Sequence, residues 1–159
     1  MNRGFIVGLC AVLLSGGLLL SSGQSRSDST YTPGLGEIMG YVQVRHAKLW
    51  FAGDKENWPL AAYELDELKE GFEDITKFHP THEKIPFPTA QALHQFMDLP
   101  LRQLSEAIAQ KKKEEFLSAF ANVSTSCNAC HQQCNFGFIH IQNPNTHPYS
   151  NQDYGYKPQ

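Results

Sequence analysis

Cys127 and Cys130 stand three positions apart and His131 follows directly, giving Cys127-Asn128-Ala129-Cys130-His131. That spacing suits covalent attachment of a c-type haem. Two thiols add to the two porphyrin vinyl groups, and the two intervening residues span the gap. The adjacent histidine then lies under the ring, where an imidazole nitrogen can take the proximal iron position. Random draws from this composition give roughly 0.004 copies of the pattern, so chance explains it poorly. The same residues could instead form a disulfide or a zinc knuckle. Zinc held by Cys127, Cys130, His131 and Cys134 would take every ligand from one short segment, whereas structural zinc sites join two segments and close a loop. An iron–sulfur cluster fails on the same crowding.

The other end of the chain bears on where such chemistry happens. Met1-Asn2-Arg3-Gly4, the apolar run from Phe5 to Leu20 and the small exit Ser21-Ser22-Gly23 are the three parts of a secretory signal peptide. Cleavage is expected after Gly23, removing residues 1–23 and leaving a periplasmic protein. An apolar run this short, interrupted by Gly16 and Gly17, is poorly suited to span a bilayer. No stable membrane insertion is therefore expected after signal removal. Cys10 leaves with the signal, so the mature chain keeps Cys127, Cys130 and Cys134. An odd, bunched set is unlike the dispersed cysteines of a disulfide-stapled exported domain. The net charge is −3, and the basic residues are scattered apart from Lys111-Lys112-Lys113. That excludes a nucleic-acid footprint.

Four segments with helical periodicity must position the motif. Residues 24–34 are polar, end in Pro33-Gly34 and read as a flexible leader. The first helix runs from about Leu35 to Phe51, with Leu35, Ile38, Met39, Val42, Leu49 and Trp50 on one face, and Gly53 with Asp54 is expected to end it. Asn57 is a suitable N-cap for the second, with Pro59 in its first turn and a stripe of Ala61, Leu65, Leu68, Phe72 and Ile75. Pro80, Pro86 and Pro88 forbid helix in the following loop. Thr89 is the expected N-cap of the third helix, which Pro100 should kink or split. The fourth runs from Lys113 to Gln133, with Phe116, Phe120, Val123, Cys127 and Cys130 at steps of four, three, four and three. The fold class is therefore all-α, an up-down-up-down four-helix bundle over 35–134, with a non-helical C-terminal tail over 135–159. Asp66, Glu67, Glu70, Glu73, Asp74 and Glu64 read as an acidic outer face of the second helix, able to dock a basic redox partner.

A helical bundle with Cys127, Cys130 and His131 in its last helix resembles the class II c-type cytochromes, the cytochrome c-prime group. The resemblance covers residues 35–134, and only the three motif residues carry it specifically. It implies thioether links from Cys127 and Cys130, an iron bond from His131, one covalently attached haem c, and a distal residue on the first helix. Two coordinating residues lie on that stripe, Met39 and His46. At 1.5 Å per residue they are about 10 Å apart along the axis, so both cannot reach one iron. Family geometry puts the distal residue about ten positions into the first helix, which selects His46 and leaves Met39 as the alternative. The implied function is single-electron carriage between redox partner proteins. The alternative is a haem-based binding module for nitric oxide or carbon monoxide, which needs an open sixth position. No enzyme activity is expected, since nothing near the motif resembles a catalytic acid, base or nucleophile. A homodimer through helix faces is compatible with such a bundle. Cys134 is expected to be a small buried or partly exposed thiol, and His79, His82, His94, His140 and His147 to be surface or loop residues.

Overall fold

In the computed structural model, which describes residues 31–157, four helices follow one another: α1 (Leu35–Asp54), α2 (Trp58–Phe78), α3 (Thr89–Ala109) and α4 (Lys113–Gln133). The expected signal peptide and the leader as far as Thr30 lie outside the described residues. No strand occurs among the described residues, and no described helix is long and apolar enough to cross a membrane.

Local chemistry sets the helix ends. The Asn57 side chain accepts a hydrogen bond from the Leu60 N–H at 3.3 Å and caps α2, with Pro59 in the first turn where its missing N–H costs nothing. Three helices close through a residue in the left-handed conformation: Glu56 after α1, Lys111 after α3 and Asn135 after α4, with φ of 54°, 56° and 62°. In each case a backbone N–H reaches back over the turn: Asn57 N–H to the Ala52 carbonyl, Lys112 N–H to Ala107, Phe136 N–H to His131. These six-to-one bonds are the Schellman closure. α1 ends at Asp54, where Gly53 with Asp54 was expected to end it, but Gly53 is not the left-handed residue of the closure. It stays helical and buried, and a Cβ there would overlap the Phe116 ring of α4. Its missing side chain allows a close helix–helix approach.

Two further expectations need correction. Thr89 is the first residue of α3 rather than its cap; its hydroxyl donates to the His79 carbonyl at 2.8 Å and pins the α2–α3 loop. Of the kink or split expected at Pro100, the split does not occur: α3 runs unbroken from Thr89 to Ala109.

The apolar stripes converge on one core built from all four helices, with Leu49, Ala61, Leu104, Phe116, Phe120 and Val123 fully buried. α1 packs chiefly on α2 and α3 chiefly on α4, and the two hairpins join through α2–α3 and α1–α4 contacts. Short links between antiparallel neighbours produce this up-down-up-down arrangement. The α1–α4 seam is the most sparsely contacted of these pairs. Glu64 does not belong to the acidic outer face. It is 1 % exposed and sits between Arg45 (3.1 Å) and Lys48 (3.7 Å) of α1. It falls three positions after Ala61 and four before Leu68, on the apolar side of α2.

From Asn135 the chain runs as an irregular strap along the bundle. The Asn128 side chain both accepts from the Ile141 N–H (2.7 Å) and donates to the Ile141 carbonyl (2.8 Å). Further on, His147 packs edge-on and Tyr154 tilted against Phe51, and the Asn57 amide donates to the carbonyls of Tyr154 and Tyr156. The strap thus reaches from the end of α4 to the α1–α2 turn.

Candidate functional site

Cys127, Cys130 and His131 all line one cavity of about 390 Å³ at the end of the bundle where α1 begins and α4 ends. α1 contributes Leu35, Met39, Val42, Gln43 and His46; α2 contributes Phe72 and Ile75; α3 contributes Ala92, Leu93 and Met97. The α2–α3 loop (His82 to Ile85) and the first part of the strap (Phe136, Ile139, Ile141) complete the lining. The Asn135 amide donates to the Lys84 carbonyl at 2.8 Å and ties these two covering segments together. A mostly apolar cleft of this size, with a few polar groups at fixed places, is the usual form of a cofactor site.

His131 is 7 % exposed, and its ring lies 3.1 Å through Nδ1 from the Ile139 carbonyl. A carbonyl only accepts, so Nδ1 carries the proton and donates it, which leaves the lone pair on Nε2. Nε2 has no hydrogen-bond partner among the described residues. The backbone of the strap thus fixes both the ring and its tautomer. A carbonyl-bound N–H on one side and a free lone pair on the other is how a histidine is held when it binds a metal.

Cys127 and Cys130 are free thiols. Burial pushes the Cys127 thiol up to about 12. Burial and then the neighbouring Cys134 push Cys130 up to about 12 as well. Both are therefore neutral S–H groups at pH 7, packed against the cavity. Cys134 is 4 % exposed, lines the same cavity, and holds its Sγ 3.9 Å from that of Cys130. Among the described residues no group of three or more His, Cys, Asp or Glu could hold a metal ion. A zinc knuckle from Cys127, Cys130, His131 and Cys134 has no support in this geometry.

The register of α1 against α4 decides which α1 residue faces the motif. Trp50 stacks on Phe120, with ring centroids 5.0 Å apart. One turn nearer the cavity, His46 bonds Ser124 at 2.9 Å. The two helices run antiparallel, so seven residues back along α1 matches seven residues forward along α4. Met39 therefore lies level with His131, and Gln43 with Cys127. Family geometry selected His46 by counting about ten positions into α1; the structure places it opposite Ser124, about 10 Å further into the bundle than Met39. The reason is that α1 and α4 end flush at the cavity, with His131 in the last turn of α4.

His46 is also chemically committed. Ser124 donates its single hydroxyl proton to the Phe120 carbonyl at 3.2 Å. Its oxygen can then only accept from His46, so the proton is on His46 Nε2. The ring is 5 % exposed, stacks on Phe120 at 4.4 Å, and burial lowers its pKa from 6.5 to about 4. It is a neutral, hydrogen-bonded core histidine. Met39 is half-buried and lines the cavity.

Neither tail histidine lines the cavity. His140 is exposed, and His147 packs on Phe51 near the far end of α1. His79 donates its Nε2–H to the Pro33 carbonyl at 2.8 Å. Two contributors were not singled out from sequence as site residues: His82, which lines the cavity, and Ile139, whose carbonyl orients His131. No composition signal marks a backbone carbonyl. The glycine of the tight turn at Asn135–Ile139, Gly137, was the available hint that the chain doubles back there. No protein-family model, curated protein or solved structure matches the chain.

Proposed function

We propose that this chain is an exported monohaem c-type cytochrome that carries single electrons. Cys127 and Cys130 form the thioether links, His131 is the proximal iron ligand, and Met39 is the sixth. One observation carries the reading. His131 spends Nδ1–H on the Ile139 carbonyl and keeps the Nε2 lone pair, while lining an apolar cavity together with both thiols of the motif. A bound haem supplies a one-electron ferric/ferrous couple.

The chain's own residues do the rest. Phe72, Ile75, Ala92 and Met97 are buried cavity walls that exclude water, and a dry, low-dielectric wall is one of the protein's levers on haem potential. The Ile139 carbonyl holds the His131 proton at Nδ1 and keeps the ring from turning. Met39 is favoured over His46 because it lies level with His131, and because His46 Nε2–H is engaged by Ser124. A thioether ligand favours ferrous iron, so the potential should lie above that of a bis-histidine site. We read the protein as a carrier rather than an enzyme.

The test is the absorption spectrum of chain produced with haem-attachment machinery, taken oxidised and reduced, with and without carbon monoxide. A haem spectrum that survives denaturation is expected, low-spin and unmoved by the gas. Met39→Ala should turn it high-spin and gas-binding, whereas His46→Gln should leave it unchanged. A spectrum lost in His46→Gln would restore His46 as ligand. A parent protein that is high-spin and shifts with carbon monoxide would make the chain a gas-binding module.

A further inference from the structure

We propose that Cys130 and Cys134 form a two-thiolate site for one soft monovalent cation, copper(I), in the chain before haem is attached. The site goes beyond the cytochrome reading and does not depend on it. The pair spans the last turn of α4. The Cys134 N–H still donates to the Cys130 carbonyl at 2.9 Å, as inside a helix. Their sulfurs lie 3.9 Å apart, and both residues line the cavity. Cys134 is buried and Cys130 only half-buried, so an ion can enter from the solvent side of Cys130.

Spacing decides what this pair can do. Residues four apart on a helix hold their Cβ atoms about 5–6 Å apart. A disulfide needs about 3.5–4.5 Å between those atoms and about 2.05 Å between the sulfurs. Direct bonding would therefore unwind the turn that the Cys134 N–H closes. A bridging ion makes no such demand. Two metal–thiolate bonds of about 2.3 Å span up to about 4.6 Å, and the observed sulfur separation of 3.9 Å already lies within that reach. The turn is spaced to hold an ion between its sulfurs rather than to join them.

Ligand type and number select the ion. Thiolates favour soft cations. Zinc and iron–sulfur sites draw on four ligands, and among the described residues no group of three or more His, Cys, Asp or Glu converges. His131 follows Cys130 but is turned about 100° round the helix from it. Cys127 makes no sulfur–sulfur hydrogen bond among the described residues. Magnesium or calcium would require several oxygens, and the one carboxylate of the lining, Glu83, is exposed on the α2–α3 loop. Copper(I), with a filled d shell and no need of further ligands, suits two sulfurs beside apolar walls. On binding, each thiol releases its proton to solvent and two copper–sulfur bonds form. The copper enters already reduced, and no electron moves. A thioether at Cys130 removes one of the two thiolates, so copper and attached haem exclude each other.

The experiment uses the full chain made without haem-attachment machinery, its helices checked by circular dichroism. Copper(I) is titrated in without oxygen, against a chromogenic copper(I) chelator. One equivalent should leave the chelator for the protein. Cys134→Ser should weaken that uptake by at least about tenfold, the loss that follows even when a residue merely supporting a metal ligand is removed. Cys127→Ser should leave it unchanged. Equal uptake by the parent and Cys134→Ser would overturn the proposal. So would a loss in Cys127→Ser as large as that in Cys134→Ser, since the motif's own thiols would then hold the ion. A chain that binds copper through Cys130 and Cys134 but never acquires haem refutes the cytochrome reading alone. A chain that acquires haem, and whose haem-free form ignores copper, refutes the copper site alone.

Discussion

His46 should make the bundle acid-sensitive, and by a calculable amount. In the folded chain burial lowers its pKa from 6.5 to about 4. The unfolded chain therefore binds more protons than the folded one between those values, and stability rises with pH across that window. The contribution is complete above pH 6.5 and is lost as pH falls towards 4. With one pKa unit equivalent to 1.36 kcal/mol, the slope peaks at about 1.2 kcal/mol per pH unit near pH 5, and the loss at pH 4 is about 3 kcal/mol. His46→Gln removes the titration and keeps an N–H able to reach Ser124. Urea unfolding of both proteins at pH 7, 5.5 and 4, followed by circular dichroism, isolates the term, because carboxylates titrate alike in the two and cancel in the difference. The His46 protein should lose about 3 kcal/mol more than the variant between pH 7 and 4. Parallel losses would refute the reasoning, since they would mean that the imidazolium is accommodated inside the bundle.

Gly53→Ala should destabilise by about 1–3 kcal/mol, although alanine is the better helix former. The new Cβ would overlap the fully buried Phe116 ring, and a lowered urea midpoint with helical content intact would check it. Asn128→Ala removes both bonds to Ile141. That should cost about 1–3 kcal/mol and loosen the strap, read as faster proteolytic cleavage between residues 136 and 147 while the four helices stay protected.

Much of the molecule was legible before any coordinates. Asn57 and Pro59 announced the start of α2, and the step of four, three, four, three from Phe116 to Cys130 announced both α4 and the side of it that faces inward. Periodicity is a local property, fixed by 3.6 residues per turn, so a single sequence carries it. The same rule placed Glu64 on the inner side of α2, but reading it as one of a run of surface acids overlooked Arg45 and Lys48, which come from another helix. Gly53 with Asp54 marked the end of α1 correctly but did not reveal the contact that Gly53 makes. Glycine near a helix end has two uses, and only the position of Phe116 shows that here it serves contact.

The sequence by itself determined the reactive set Cys127, Cys130 and His131, because residue type and separation along one helix are all that set requires. It also determined four amphipathic helices, and hence a bundle. The tertiary structure alone decided that Met39 and not His46 lies level with His131, and that a strap carbonyl holds His131 Nδ1–H. Relative sliding of two antiparallel helices depends on how their side chains interlock, as Trp50 with Phe120 and Gly53 with Phe116 do here. A slide by two turns leaves each helix's own periodicity unchanged, so no pattern within either segment records it.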